Sequence, residues 1–225
     1  MSNYKSIAYK AEQAALYCKR NPEEIKIVAV SKFKTVEEIN EAIADGVYAI
    51  GESRAQELCD KWEYLDKKGI EVHFIGRLQT NKVKYIIDKV DLIHSLDSLR
   101  LAEEIERQSG KINKITEVLI EINIGDEASK GGITPIELDG FLENLACFKH
   151  LKVSGLMAIP PVCTGNSKNI QFFEKMYKLF LDKSAKKSHN IEIRYLSMGM
   201  SDDYEQAIAC GSNMVRIGSA IFGSR

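Results

Sequence analysis

The residue best placed for chemistry is Lys32, which closes the apolar run Ile27-Val28-Ala29-Val30-Ser31-Lys32. A lysine at the carboxyl end of a strand can rise into the mouth of a barrel. An ammonium is not nucleophilic, but burial or nearby positive charge favours the neutral amine, which attacks an aldehyde to form a Schiff base. Lys34, two residues on, is the competing amine. At the far end of the chain, Tyr195-Leu196-Ser197-Met198-Gly199-Met200-Ser201-Asp202 and Met214-Val215-Arg216-Ile217-Gly218-Ser219 carry glycine-bearing turns. Glycine at position 218 permits close backbone approach, and exposed amides with the Ser219 and Ser197 hydroxyls can donate to phosphate oxygens. The first and last strands of a closed barrel are neighbours, so the amine and the cradle would meet. Together they point to a covalently held, phosphorylated aldehyde.

Arg216 is out of place in its apolar strand, because a buried guanidinium without an acceptor is costly. Its fork can face a heteroaromatic ring nitrogen or an anionic substituent, or it can form a buried ion pair with a barrel carboxylate. Beside a pyridine nitrogen it would keep that nitrogen unprotonated and weaken the ring as an electron sink. His73 and His94 fall in strands and read as packed imidazoles with one hydrogen bond each, without a functional role. Asp126, Glu127, Asp202 and Asp203 lack metal-ligand spacing, so no metal is expected.

The elements that must position these residues alternate along the whole chain. After an N-terminal amphipathic helix up to Arg20, strands are predicted at 26–30, 47–50, 72–75, 92–96, 118–124, 151–157, 191–196 and 215–217. Thr35-Val36-Glu37-Glu38 is a capping box, and Gly46 ends the helix that it starts. Thr134-Pro135-Ile136-Glu137 combines an N-cap, a proline at the first helical position and a capping glutamate. A long helix is predicted at 172–187 after a mobile loop at 160–168, and Ser201 is expected to cap a helix opened by Asp202 and Asp203. Eight strands separated by helices, without a long linker, predict a single domain over residues 1–225, a (β/α)8 TIM barrel with an extra N-terminal helix. Right-handed crossovers would put all the βα turns on one face.

Composition agrees. The chain has 225 residues, 44% of them hydrophobic, enough to bury a sizeable core. Its 31 basic and 32 acidic residues nearly balance, and the absence of a basic tract argues against nucleic acid or an anionic membrane surface as partner. No apolar run is long enough to span a bilayer, and the N-terminal stretch is too charged for a secretory signal. Cys18, Cys59, Cys147, Cys163 and Cys210 are scattered without a Cys-x-x-Cys pair, which predicts reduced thiols and a cytoplasmic location.

Several ordered motifs then carry a resemblance: Ala29-Val30-Ser31-Lys32, Gly51-Glu52, His73-Phe74-Ile75-Gly76 with Leu78-Gln79-Thr80-Asn81-Lys82, Gly155-Leu156-Met157-Ala158-Ile159-Pro160, Gly199-Met200-Ser201-Asp202-Asp203 and Val215-Arg216-Ile217-Gly218. Over nearly its whole length the chain resembles the pyridoxal phosphate homeostasis protein family, whose barrel is similar to the N-terminal domain of alanine racemase. The resemblance implies pyridoxal 5′-phosphate as cofactor, held as an imine on Lys32. It also implies Arg216 at the pyridine nitrogen and Ser197, Gly218 and Ser219 around the phosphate, with Ser201 among the cofactor-binding residues. Phe33 and Thr35 depart from the more usual threonine and proline after the lysine, and Ser53 from the asparagine after Gly-Glu. Racemases of this fold add a β-domain with an opposing tyrosine, whereas this chain stops at Arg225 just after its last strand. The expectation is therefore a non-catalytic, monomeric carrier that buffers the cofactor or delivers it to recipient apoenzymes. The alternatives are a pyridoxal phosphate-dependent amino-acid racemase and a cofactor-free Schiff-base aldolase. Lys82 and Lys130 could capture cofactor during release, although surface charge also accounts for them.

Overall fold

The computed structural model describes residues 2–127, 131–161, 166–185 and 187–223. Eight strands run parallel: β1 (Lys26–Val30), β2 (Ala49–Glu52), β3 (Glu71–Phe74), β4 (Leu92–Leu96), β5 (Thr116–Glu121), β6 (Leu151–Met157), β8 (Ile191–Ser197) and β9 (Met214–Ile217). Each pairs with its successor, β6 pairs with β8, and β9 returns to β1, so the sheet closes. A two-residue strand, β7 (Lys187–Ser188), lies antiparallel to β8 and is outside the ring. The architecture is the (β/α)8 barrel expected from the alternation.

Helices α2 (Val36–Ala44), α3 (Ala55–Lys61), α4 (Val83–Ile86), α5 (Leu99–Lys111), α6 (Leu138–Leu145), α7 (Asn166–Ser184) and α8 (Tyr204–Ala209) fill the connections. The capping box that opens α2 forms both of its halves. Thr35 Oγ1 accepts from the Glu38 N–H at 3.2 Å and the Glu38 carboxylate accepts from the Thr35 N–H at 2.8 Å. At α6 only the return half forms: the Glu137 carboxylate takes the Thr134 N–H at 2.8 Å, and residues 135–137 make a turn before the helix starts at Leu138. α7 begins at Asn166, earlier than the apolar spacing suggests. The strand expected at 118–124 stops at Glu121, and Ile122 continues only as an isolated bridge to Ile133.

Side chains alternate across each strand and therefore build two cores. Outside the sheet, residues such as Ile39, Leu58, Ile86, Ile105 and Phe173 pack under the helices. Inside, Val28, Ala49, Leu92, Leu119, Met157 and Met214, all from barrel strands, form a separate apolar plug. That plug makes the barrel a solid scaffold with its openings at the ends.

α1 (Asn3–Tyr17) buries Tyr4, Ile7, Ala11 and Ala15 at helical spacing. It packs on α8 and on α9 (Ser219–Phe222), the last turn of the chain. Asn3 Nδ2 donates to the Ile221 carbonyl at 3.1 Å. Arg20 Nη1 donates to the carbonyls of Ile208 and Ser212, each at 2.7 Å. The extra helix thus clamps the elements on either side of β9, where the proposed phosphate cradle lies. Among the described residues no helix is long and apolar enough to cross a membrane, and Cys18, Cys59, Cys147 and Cys210 are free thiols. Cys163 and Lys130 lie outside the described residues.

Candidate functional site

Barrel closure brings the two ends of the chain together. β1 and β9 align Val28 with Arg216 and Ala29 with Ile217, so the residues after each strand emerge side by side. Gly218 lies against Val30; a Cβ on it would sit 3.3 Å from the Val30 Cβ. A cavity of about 380 Å³ is lined there by Val30, Lys32, Lys34, Ser201, Arg216, Gly218 and Ser219, among others. A second cavity, of about 460 Å³, includes Phe33, Arg54, Arg77, Glu121 and Asn123 in its lining. The two share Lys32, Ser53, Ile75 and Ile159 as a common wall. Lys32 is exposed at this boundary rather than buried, so its accessibility, not desolvation, is its distinguishing feature.

The backbone that carries Lys32 is held from below. Lys61 Nζ donates to the Ser31 carbonyl at 3.0 Å, to Glu52 at 2.9 Å and to Glu57 at 2.7 Å. Ser31 Oγ donates to Glu52 Oε1 at 2.7 Å, and Glu57 accepts the Phe33 N–H at 2.5 Å. Phe33 is thereby kept in the left-handed region at φ 63°, which costs a non-glycine residue about 1–2 kcal/mol. Glu52 is fully buried, and burial pushes its carboxyl above the usual range despite the donors from Ser31 and Lys61. Breaking such a pair by removing one partner costs about 3–5 kcal/mol, so this cluster is a firm base for the lysine. Gly76 completes it from the loop after β3: a Cβ at that position would lie 2.2 Å from the Ser53 carbonyl oxygen, and only glycine permits the approach.

Lys34 faces the same cavity but is already engaged. Its Nζ bonds Glu38 at 3.1 Å and the Phe222 carbonyl at 3.0 Å. It is thus held as a fixed charge at the cavity wall, and of the two amines Lys32 is the more accessible.

Arg216 is 4% exposed and belongs to the cavity wall. Nη1 donates to Ser197 Oγ at 2.7 Å and Nη2 to the Ala158 carbonyl at 3.0 Å. Both are neutral acceptors behind the guanidinium, in place of the carboxylate of the anticipated buried ion pair. Burial pushes its pKa down to about 10, with Glu121 and Asp203 partly opposing at longer range. Behind Ser197 the polar contacts continue through the barrel. Ser197 Oγ is 3.1 Å from His94 Nδ1, His94 Nε2 is 3.0 Å from His73 Nδ1, and His73 Nε2 is 3.0 Å from the Glu71 carboxylate. Lys26 Nζ closes the far end on both Glu71 oxygens at 2.7 and 2.5 Å. The two histidines, read from sequence as isolated packing residues with one bond each, make two contacts apiece. Glu71 is only two residues from His73 on β3, but the links from His73 to His94 and from His94 to Ser197 span 21 and 103 positions, and no local signal marks those.

The sequence-derived set therefore divides. Lys32, Ser201, Arg216, Gly218 and Ser219 share one cavity. Ser197 is fully buried beneath Arg216, bonded to it and to His94, and is absent from that cavity's lining. Ser201 does not cap α8, whose N-cap is Asp203. Its hydroxyl instead accepts from the amides of Gly218 and Ala220 at 3.3 and 3.4 Å, long contacts that a better acceptor can displace. Lys82 lies beside the Tyr85 ring and is outside the lining of both cavities.

Barrel and mouth together are those of an alanine racemase N-terminal domain, and the model of that family matches residues 3–225. Among curated proteins, the chain is 43% identical over 200 residues to the pyridoxal phosphate homeostasis protein of Aquifex aeolicus (strain VF5), covering 89% of this chain and 87% of the relative. It is 42% identical over 226 residues to the protein of that name from Escherichia coli (strain K12), covering 99% and 95%. The chain belongs to the pyridoxal phosphate homeostasis protein family. Among solved structures, PipY of Synechococcus elongatus PCC7942 with pyridoxal phosphate (PLP) bound superposes with a TM-score of 0.81 at 29% identity, over 95% of this chain and 100% of that one. Alanine racemase from Corynebacterium glutamicum, at 18% identity and a TM-score of 0.66, shares the fold over 96% of this chain and 60% of its own.

Proposed function

We infer that this protein binds pyridoxal 5′-phosphate at the barrel mouth and serves cofactor homeostasis, holding the reactive aldehyde and releasing it to recipient apoenzymes. The whole of residues 1–225 is taken as one cofactor-binding domain. The observation that carries this reading is the convergence of an accessible amine, Lys32, with the Ser201, Gly218 and Ser219 cradle and a buried guanidinium on one cavity of about 380 Å³. The donor set suits the group. Amides of Gly218 and Ala220, now spent on long contacts to Ser201, can serve phosphate oxygens, and the charge of Lys34 stands beside them. When bound, the cofactor supplies an aldehyde carbon that condenses with an amine, with loss of water, and a conjugated ring that absorbs visible light.

Lys32 supplies that amine, on a backbone fixed by Glu52, Glu57 and Lys61. Arg216, a donor only, would keep a ring nitrogen presented to it unprotonated and so would oppose the electron withdrawal that carbanion chemistry requires. That favours storage over amino-acid racemisation. The exposure of Lys32 favours exchange, because water or an incoming amine would have access to its side-chain nitrogen. Agreement comes from the names of the relatives and from PipY, which holds pyridoxal phosphate on the same barrel. The reading places the protein in the cytoplasm, where free thiols persist.

The purified protein should be yellow, and mixing it with an apoenzyme that requires the cofactor should restore that enzyme's activity while the colour is lost. A colourless protein that cleaves a sugar phosphate would replace this function with the aldolase reading. Sustained isomerisation of an enantiopure amino acid by the yellow protein would replace it with the racemase reading.

A further inference from the structure

Glu71, His73, His94, Ser197 and Arg216 form an unbranched file through the barrel, from its floor on β3 to the cavity wall on β9. Its two ends decide where the hydrogens lie. Arg216 can only donate. Glu71 can only accept while ionised, and the hydrogen bonds from His73 and Lys26 hold its pKa down to about 2. Between an obligate donor and an obligate acceptor, with one hydrogen to each link, one order satisfies every contact. Arg216 donates to Ser197 Oγ, the Ser197 hydroxyl to His94 Nδ1, His94 Nε2–H to His73 Nδ1, and His73 Nε2–H to Glu71. Reversing the histidine links requires one more proton, on His73 or on Glu71. Burial opposes a charge on either ring: at His94 it is reinforced by Arg216 and Lys26, and at His73 burial, with Lys26, outweighs the opposing pull of Glu71 and Asp91.

We propose that His73 and His94 are positioning residues for the cofactor-facing arginine: two neutral Nε2–H tautomers in a one-way file that fixes Ser197 as the acceptor of Arg216. Two consequences follow from the chemistry. Ser197 has committed its single hydrogen to His94 and has none to give a phosphate, which agrees with its burial away from the cradle. The guanidinium meets a neutral hydroxyl, with the Glu71 charge held off at the barrel floor, so its positive charge stays directed at the cavity. What Arg216 faces rests on the pyridoxal phosphate reading above; the order of hydrogens rests on the barrel alone.

Nitrogen-15 NMR of the cofactor-free protein at neutral pH tests the file directly. Both rings are expected to show a protonated Nε2 and an unprotonated Nδ1, and an Nδ1–H tautomer or an imidazolium at either ring overturns the order. Coupling to the site is read from pyridoxal phosphate affinity and the pH titration of its absorbance in His94→Phe, Arg216→Met and the double variant. His94→Phe should weaken binding at least ~10-fold and move the absorbance titration in the presence of Arg216, and should do neither in the Arg216→Met background. Equal effects in both backgrounds would show that His94 is only structural. Glu71→Gln, at the half-exposed floor, is the second variant should His94→Phe not fold: its amide can also donate to His73, so the tautomers should mix and the absorbance titration should move. An unchanged titration and unchanged tautomers in Glu71→Gln overturn the proposal. Failure of the wild-type protein to bind pyridoxal phosphate would overturn the functional reading while leaving the NMR result intact.

Discussion

Replacing Arg216 by methionine separates cofactor binding from folding, because the two effects on stability oppose each other. Methionine keeps the apolar stem and removes the charge. The guanidinium's pKa of about 10, against an ordinary 12.5, corresponds to a net electrostatic penalty of about 3 kcal/mol at neutral pH, burial less the attraction of Glu121 and Asp203, where the group is charged in both folded and unfolded states. That penalty disappears in the variant. Against it, Ser197 Oγ and the Ala158 carbonyl lose their donor, at about 1–3 kcal/mol each. The net effect lies between a gain of about 1 kcal/mol and a loss of about 3 kcal/mol, a minor part of the 5–15 kcal/mol typical of a domain and about 10 °C or less in melting temperature. Removal of a charged donor to the bound cofactor costs a further ~1.5–3 kcal/mol of binding, or about 10- to 150-fold in Kd. Calorimetry or circular dichroism of the apo protein gives the first quantity, and titration with pyridoxal phosphate followed by absorbance gives the second. An unfolded apo variant, or unchanged affinity and spectrum, would refute the placement of Arg216 as a binding group.

Lys61→Met removes the partner of the buried Glu52 and should destabilise the protein by about 3–5 kcal/mol at pH 7, less at pH 5 as Glu52 takes up a proton; equal losses at both pH values would count against an ionised Glu52. Gly76→Ala puts a Cβ 2.2 Å from the Ser53 carbonyl oxygen and should cost about 3 kcal/mol in chemical denaturation, with no change expected if the two loops can separate freely. His73 and His94 have folded pKa values below 6.5 and Glu71 one of about 2 against 4.5, so in each case the unfolded chain takes up protons first. Their contributions are complete above about pH 6.5 for the histidines and about 4.5 for Glu71, and melting temperature should fall steadily as pH drops through these values. A melting temperature unchanged from pH 7 to pH 5 would contradict neutral, buried histidines among Lys26, Asp91 and Arg216.

The barrel was legible because its signals are local. Apolar runs alternate with helix starts, and Thr35 with Glu38 forms its capping box with both hydrogen bonds made. Lys32 and Gly218 were legible as partners because closure of eight strands forces the first beside the last. Boundaries were less so: the Thr134 motif makes a turn and only half of its cap, since Glu137 is used before the helix begins at Leu138. The supporting shell left almost no trace. His73, His94, Ser197 and Arg216 meet inside the ring from four strands, and no spacing in one sequence announces contacts made across a barrel. Glu57 and Lys61 stand at i and i+4, a hint of an ion pair, but nothing local says that the pair reaches Glu52 and the Lys32 backbone.

The decisive observation concerns a single nitrogen. Borohydride reduction of the cofactor-loaded protein, followed by proteolysis and mass spectrometry, should place one pyridoxyl group on Lys32, with Lys34 unlabelled because Glu38 and the Phe222 carbonyl hold it. Lys32→Ala should lose the label and the yellow colour. A pyridoxyl group on Lys34 or Lys82, or bound cofactor that borohydride fails to attach anywhere, would contradict Lys32 as the anchoring amine.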